Sequence, residues 1–155
     1  HLPRLRMGIR SPGAAQPPTP GDLILNDGLF TNRNPAAMTR YRLEADDLNE
    51  DQHSSGVWVS TAAGSTGAIA SAGMASLPPE QAALLYLVRE PFFGRSVFTR
   101  LRDTQQPPRG LVLTAAIPGI GCYLDGCHTY RDVPPGAAAC FAASPHPLRL
   151  LLPDG

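Results

Sequence analysis

Fifteen glycines and seventeen prolines are scattered through 155 residues, and this punctuation sets the first limit on the fold. Proline lacks a backbone N–H and glycine weakens helix interiors, so so interrupted a chain favours many short elements joined by turns over a helical bundle. Between the interruptions the apolar residues alternate. Leu5, Met7 and Ile9 share one face of a strand over Arg4–Ile9, and Tyr41 and Leu43 share one face of Arg40–Leu43. Leu23–Leu25 is a short apolar run ended by the turn signal Asn26-Asp27-Gly28, and Val57–Val59 is a further strand candidate. Leu111–Ala116, Ile120–Leu124, Ala137–Ala142 and Leu148–Leu152 follow, with Asp125-Gly126 and Pro135-Gly136 as turns between them. Residues 79–90 fit a helix opened by Pro79 and Glu80, or equally a buried strand over Leu85–Val88. Residues 11–21, SPGAAQPPTPG, read as a linker or surface loop. About eight or nine short strands with one short helix predict a mainly β domain, a multi-stranded sandwich or barrel.

Composition narrows the function. Hydrophobic residues make up 43 % of the chain, enough to build a core. Thirteen basic and thirteen acidic residues cancel, which leaves no electrostatic footprint for nucleic acid or an acidic membrane. Every basic residue is arginine, so a Walker A loop, a Schiff-base lysine and a Ser-Lys dyad are excluded. The start at His1 has no signal-peptide pattern, and no stretch approaches the roughly 20 apolar residues of a membrane span. The expectation is a cytoplasmic protein, with an N-terminal portion preceding His1. Three cysteines are too few and odd in number for a disulfide scaffold, so they read as reduced thiols. Cys122, Cys127, His128 and Cys140 contain no C-x-x-C pair, and no metal site is expected of them. Cys127 and His128, if adjacent on a strand, would point to opposite faces and could not act as nucleophile and base.

Other polar groups carry less. Asp46-Asp47 with Glu50-Asp51 reads as a solvated acidic loop, and His53 as a surface-loop histidine. Arg89-Glu90 fits an exposed ion pair or a substrate-facing pair. Arg95, Arg100, Arg102 and Arg109 read as solvated loop charges, and Trp58 as either core or the flank of a ligand turn.

The segment Ser54–Gly73, SSGVWVSTAAGSTGAIASAG, is the most distinctive. A strand ends at Val59 and runs through Ser60-Thr61 into Gly64-Ser65-Thr66, where Ser65 or Thr66 could cap a short helix that Gly73 ends. Free N–H groups beside small hydroxyls at a helix start suit phosphate or ribose oxygens. Small residues at Ala62, Ala63, Gly67 and Ala68 would let a flat ring approach the backbone.

Ser60-Thr61-Ala62-Ala63-Gly64-Ser65-Thr66-Gly67, followed by Ser71-Ala72-Gly73, resembles the signature of the NAD kinase family. The Thr-Ala-Ala-Gly-Ser-Thr form is similar to its plant-type NADH kinase branch. Further pieces follow in family order: Leu25-Asn26-Asp27, Asn34-Pro35-Ala36 through Thr39-Arg40-Tyr41, Val88-Arg89-Glu90-Pro91, Tyr123-Leu124-Asp125-Gly126, and Ser144 to Leu150. The resemblance covers most of residues 4–152 and implies the β-sandwich of the family's C-terminal domain.

It also implies an activity, the ATP-dependent phosphorylation of the adenosine ribose 2′-hydroxyl of NAD or NADH. Asn26 and Asp27 would hold the ribose or phosphates, and Thr66 and Ser71 would line the adenine and ribose pocket, close to Gly64, Ser65 and Gly67. Ser60 and Thr61 belong to the same implied dinucleotide site, as does Ser55, which stands where many bacterial members carry Asp. Ala68 replaces a frequent Tyr and removes a ring contact. The family's Gly-Gly-Asp-Gly motif, from its N-terminal α/β domain, occurs nowhere in these 155 residues. The expectation is therefore a single β-rich domain, residues 1–155, that supplies the dinucleotide site and is inactive alone. ATP and Mg²⁺ or another divalent cation would be held mainly by the other half. The resemblance further implies a homo-oligomer, dimer or tetramer. The alternative is a non-catalytic β domain that binds an adenine dinucleotide or a protein partner.

Overall fold

The computed structural model describes residues 1–17, 21–94 and 98–153. Among them twelve strands form two six-stranded sheets, antiparallel throughout. In chain order the strands are β1 (Leu5–Arg10), β2 (Asp22–Ile24), β3 (Asp27–Asn32), β4 (Thr39–Ala45), β5 (Leu48–Ser54) and β6 (Val57–Ser60). After a 3-10 turn (Ala63–Thr66) and a single short helix, α1 (Ala68–Ser71), come β7 (Leu84–Val88), β8 (Arg102–Gln105), β9 (Leu111–Ala115), β10 (Ile120–Leu124), β11 (Thr129–Asp132) and β12 (Ala138–Ala143). The first sheet runs β2-β1-β12-β9-β4-β5 and the second β11-β10-β3-β6-β7-β8.

The expected alternation is what joins the two sheets. Leu5, Met7, Tyr41, Leu43, Leu111, Leu113 and Phe141 from the first sheet pack with Phe30, Val57, Val59, Leu84, Tyr86 and Ile120 from the second in one core. Phe30 and Tyr41 meet edge to face across it, ring centroids 5.5 Å apart. The molecule is a sandwich rather than a barrel. Segment 79–90 resolves as strand over Leu84–Val88, buried on both faces. Leu84, Tyr86 and Val88 join the inter-sheet core, while Leu85 and Leu87 pack under Ile69 of α1 in a second cluster. Two-sided burial removes the alternation that would have marked it.

Several local expectations are corrected. Asn26-Asp27-Gly28 is not a simple turn, because β3 begins at Asp27. Glu50, Asp51 and His53 lie on β5, not in a loop; the His53 ring stacks on Phe92 at 6.4 Å. The acidic residues there are engaged separately: Asp46 with Arg109, Asp51 with Arg42, and Glu50 with the Thr99 backbone and hydroxyl. Leu148–Leu152 forms no strand; a single bridge joins Leu148 to Leu2, and Leu150, Leu151 and Leu152 are exposed. Neither Ser65 nor Thr66 caps α1, which starts after Gly67 without a side-chain cap; Gly73, with φ of 102°, does follow its end. Cys127 and His128 sit in the turn between β10 and β11 rather than on a strand. Arg89 and Glu90 do not pair with each other: Arg89 donates to the Ser55 carbonyl and Glu90 accepts from the Ser55 hydroxyl. Arg100 and Arg109 pair with carboxylates, and Arg102 donates to the Gly73 carbonyl. Arg95 and residues 18–20 of the proline-rich stretch lie outside the described residues.

Candidate functional site

Three chain corners meet at one end of the second sheet. Register places Asp27, the first residue of β3, opposite Ser60, the last of β6, and Gly28 opposite Leu124, the last of β10. The Leu25–Asn26 corner, the turn after β6 and the Asp125–His128 turn are therefore neighbours, although far apart in sequence.

Hydrogen bonds fasten them. The Asp125 carboxylate accepts the backbone N–H groups of Leu25, Asn26 and Asp27 at 2.9, 2.7 and 3.2 Å, and its own N–H donates to the Asp27 carbonyl at 2.8 Å. Asp125 holds a left-handed φ of 50°, a conformation Asp tolerates better than most residues. From the other side Thr61 donates its hydroxyl to the Leu25 carbonyl at 2.6 Å and its N–H to the Asn26 carbonyl at 2.9 Å. The Ser60 hydroxyl reaches the Asn26 and Thr61 carbonyls, and the Gly64 N–H donates to the Thr61 hydroxyl. Gly64 lies so close that a Cβ there would sit 2.1 Å from the Asn26 carbonyl oxygen. The glycine is required by contact with a backbone, not by its φ.

These residues border an open pocket of about 340 Å³ lined by Asn26, Asp27, Gly64, Thr66, Gly67 and Asp125, with Ala63 and Gly126 completing the wall. Five of the ten sequence-predicted residues thus face it. Ser60, Thr61 and Ser65 stand behind it, buried, with hydroxyls bonded to the backbone. Ser71 is exposed at the end of α1 and does not line the cavity. Ser55 lies beyond the opposite end of β6, bonded to Glu90 at 2.6 Å. The resemblance of Tyr123-Leu124-Asp125-Gly126 to the family's late Asp-Gly turn carried the signal for Asp125, which composition alone would leave as an ordinary turn residue.

The lining sets the chemistry. Among the described residues Asp27 has no hydrogen-bond partner for its carboxylate, which burial and the charge of Asp125 push above the ordinary range. Two carboxylates with no arginine in the wall accept hydroxyl hydrogens and repel phosphate. The turn itself offers no anion cradle: the Gly64, Ser65 and Gly67 N–H groups already bond to Thr61, Ala62 and Gly64, and α1 is only four residues long. The geometry suits the vicinal hydroxyls of a ribose. Among the described residues no three His, Cys, Asp or Glu side chains converge to hold a metal ion. Among the described residues no helix is long and apolar enough to cross a membrane.

Over 138 residues the chain is 30 % identical to a probable NADH kinase of Oryza sativa subsp. japonica, a match covering 84 % of this chain and 42 % of that protein. The structure of yeast NADH kinase complexed with NADH matches with a TM-score of 0.76 at 18 % identity, covering 97 % of this chain and 42 % of that one. The NAD kinase from Archaeoglobus fulgidus in complex with ATP matches with a TM-score of 0.71 at 22 % identity, covering 94 % and 52 %. The chain spans about half, or less, of the length of the relatives it matches. No protein-family model matches it. Shared sequence with the rice protein over 84 % of this chain, together with the fold shared with both solved kinases, is consistent with the C-terminal domain of the NAD kinase family.

Proposed function

We propose that this chain is the dinucleotide-binding half of a cytoplasmic NAD(H) kinase, which transfers the γ-phosphoryl group of ATP to the adenosine ribose 2′-hydroxyl of NAD or NADH. The observation that carries the reading is the convergence of Asn26 and Asp27 with Gly64, Thr66 and Gly67 on one hydroxyl-accepting cavity. The same elements carry the family resemblance in the sequence. In this reading the Asn26 amide and the Asp27 carboxylate accept ribose hydroxyl hydrogens, and the raised basicity of Asp27 makes it the stronger acceptor. Thr66 adds a hydroxyl at the rim, and Gly64 lets the turn close against the Asn26 backbone.

Phosphoryl transfer depends on positioning and charge stabilisation. The residues here orient the acceptor but offer no cationic group in the cavity wall and no convergent metal ligands among the described residues. ATP and Mg²⁺ or another divalent cation therefore belong mainly to an α/β domain carrying the Gly-Gly-Asp-Gly motif, outside these 155 residues. The β domain, residues 1–155, would associate as a dimer or tetramer. Titration calorimetry of the chain with NADH tests the reading. Binding should weaken about tenfold in Asn26→Ala and several-fold in Thr66→Ala, about one hydrogen bond each. Unchanged affinity in both variants refutes the pocket. NADP formation from ATP, Mg²⁺ and NAD by the 155-residue chain alone refutes the division of labour.

A further inference from the structure

Beside the polar cavity, and sharing Asp27 and Gly126 with it, lies a second of about 580 Å³ with Leu29, Trp58, Ala68, Tyr123 and Cys127 in its wall. Its floor is the outer face of the second sheet. Register puts Tyr130, Tyr123, Leu29 and Trp58 in one row across four strands, β11-β10-β3-β6, so their side chains emerge together. The helix α1 covers the neighbouring Leu85 and Leu87; Trp58 packs against the edge of that cluster, and all four residues of the row remain half-buried.

The rings are held in place. The Arg89 guanidinium lies 5.6 Å from the Trp58 ring centroid and donates to the Ser55 carbonyl, which fixes it there. Tyr123 packs on Tyr130 with centroids 4.9 Å apart, and Arg33 lies 5.7 Å from the Tyr130 ring. A Cβ on Gly121 would enter the Tyr130 ring, so glycine at that position makes room for it. Ala68 contributes only a methyl group to the opposite wall, leaving space between it and the rings.

An apolar shelf adjoining a hydroxyl-accepting cavity has the polarity of a nucleoside, with the sugar at the acids and the base on the shelf. We propose that Trp58 and Tyr123 form the stacking platform for a base of the bound dinucleotide, the base whose ribose meets Asn26 and Asp27. This rests on the dinucleotide reading above and adds to it two residues to which the resemblance assigned no role. Aromatic stacking compensates for the small side chain at Ala68.

Trp58 is the single tryptophan, so the platform carries its own probe. NADH should quench Trp58 emission saturably, at the affinity measured by heat. ADP-ribose and oxidised nicotinamide mononucleotide, which do not absorb at the tryptophan emission and so quench only in contact, distinguish adenine from nicotinamide when titrated separately. Trp58→Ala should weaken NADH about tenfold, the scale of one stacked base, and Trp58→Phe should restore most of that loss. Should Trp58→Ala fail to fold, the wild-type chain still reports: NADH should slow modification of the exposed Cys127 by a thiol reagent. NADH heat without quenching and without Cys127 protection, or a Trp58→Ala affinity within twofold of wild type, overturns the platform and leaves the dinucleotide site standing. Loss of affinity in Trp58→Ala that tracks dissociation of an oligomer, while wild-type emission ignores NADH, also overturns it. Absence of NADH heat in the wild type removes the dinucleotide reading, and the platform with it.

Discussion

Gly64→Ala tests whether the cavity is built by close backbone contact. Gly64 is not among the residues with positive φ, so alanine meets no conformational barrier there. The obstacle is steric. The new Cβ would lie 2.1 Å from the Asn26 carbonyl oxygen, 2.5 Å from its carbon and 2.7 Å from its Cα, where ordinary contact begins near 3.4 Å. Backbone must therefore retreat by about 1 Å, and overpacking of that kind costs about 1–3 kcal/mol. The retreat also stretches the Thr61 bonds to the Leu25 and Asn26 carbonyls, 2.6 and 2.9 Å long. Each contributes about 0.5–1.5 kcal/mol net, less where water replaces it. The sum is a destabilisation of about 2–6 kcal/mol, toward the lower end where water replaces the stretched bonds.

Urea unfolding of the variant measures that loss, and NADH titration below the transition measures the accompanying loss of affinity. Thr66→Ala is the control, since Thr66 is exposed in the same turn and should change stability by less than about 0.5 kcal/mol. A Gly64→Ala protein with the wild-type midpoint and wild-type affinity would refute the contact and the cavity assembled around it.

Asp27→Asn should raise the urea midpoint at neutral pH while weakening NADH, because burial and Asp125 hold the Asp27 carboxyl above its ordinary value of 3.8. The penalty on the charged form is absent below 3.8 and grows as pH rises through the folded-state value, so the stability gain should vanish in acid. Glu50 is the opposite case: burial pushes its carboxyl up, but hydrogen bonds from Gln52, Thr99 and Arg100 outweigh this and hold it below 4.5. Glu50→Gln should cost on the order of 1 kcal/mol at pH 7, discounted for partial exposure, and the gap from wild type should close as pH falls below the folded-state value. Of the three thiols, exposed Cys127 should react first with a thiol reagent and Cys122 only on unfolding, since complete burial pushes its thiol far up; mass spectrometry of the labelled peptides decides the order.

Period-two patterning revealed the strands that bury one face. Leu5 and Met7 on β1, and Tyr41 and Leu43 on β4, alternate because one side meets the core and the other water. The pattern failed at the sheet edges. β5 (LNEDQHS), β8 (RDTQ) and β11 (TYRD) are edge strands, and charged side chains that block further pairing also disguise them as loops. β3 was hidden differently, since Asp27-Gly28 at its start carries the residue types of a turn. A Cβ at Gly28 would come within 3.2 Å of the Leu124 side chain, so the small residue fits there. At the C-terminal end the error reversed: Leu150–Leu152 is apolar enough for a strand but has no paired neighbour, and its leucines are exposed. Apolarity suggests burial; only pairing makes a strand.

The site was legible for a related reason, and only in part. Asn26, Asp27 and the Gly64–Gly67 turn stood out because small and polar residues interrupt apolar strands there. What joins them is sheet order, since β10, β3 and β6 are consecutive neighbours and their corner ends coincide. A one-residue slip of β3 against β6 would turn Leu29 into the core and bring Phe30 out. It would also separate Asp27 from Ser60, so the buried core that fixes this register fixes the cavity as well. Trp58 could be read from sequence as core or as flank because its neighbours Val57 and Val59 both point inward. The pleat resolves the choice by placing Trp58 outward, beside Leu29 and one row from the carboxylate of Asp27. The same alternation that packs the sandwich therefore sets an aromatic shelf against a hydroxyl-accepting pocket, and neither could shift without the other.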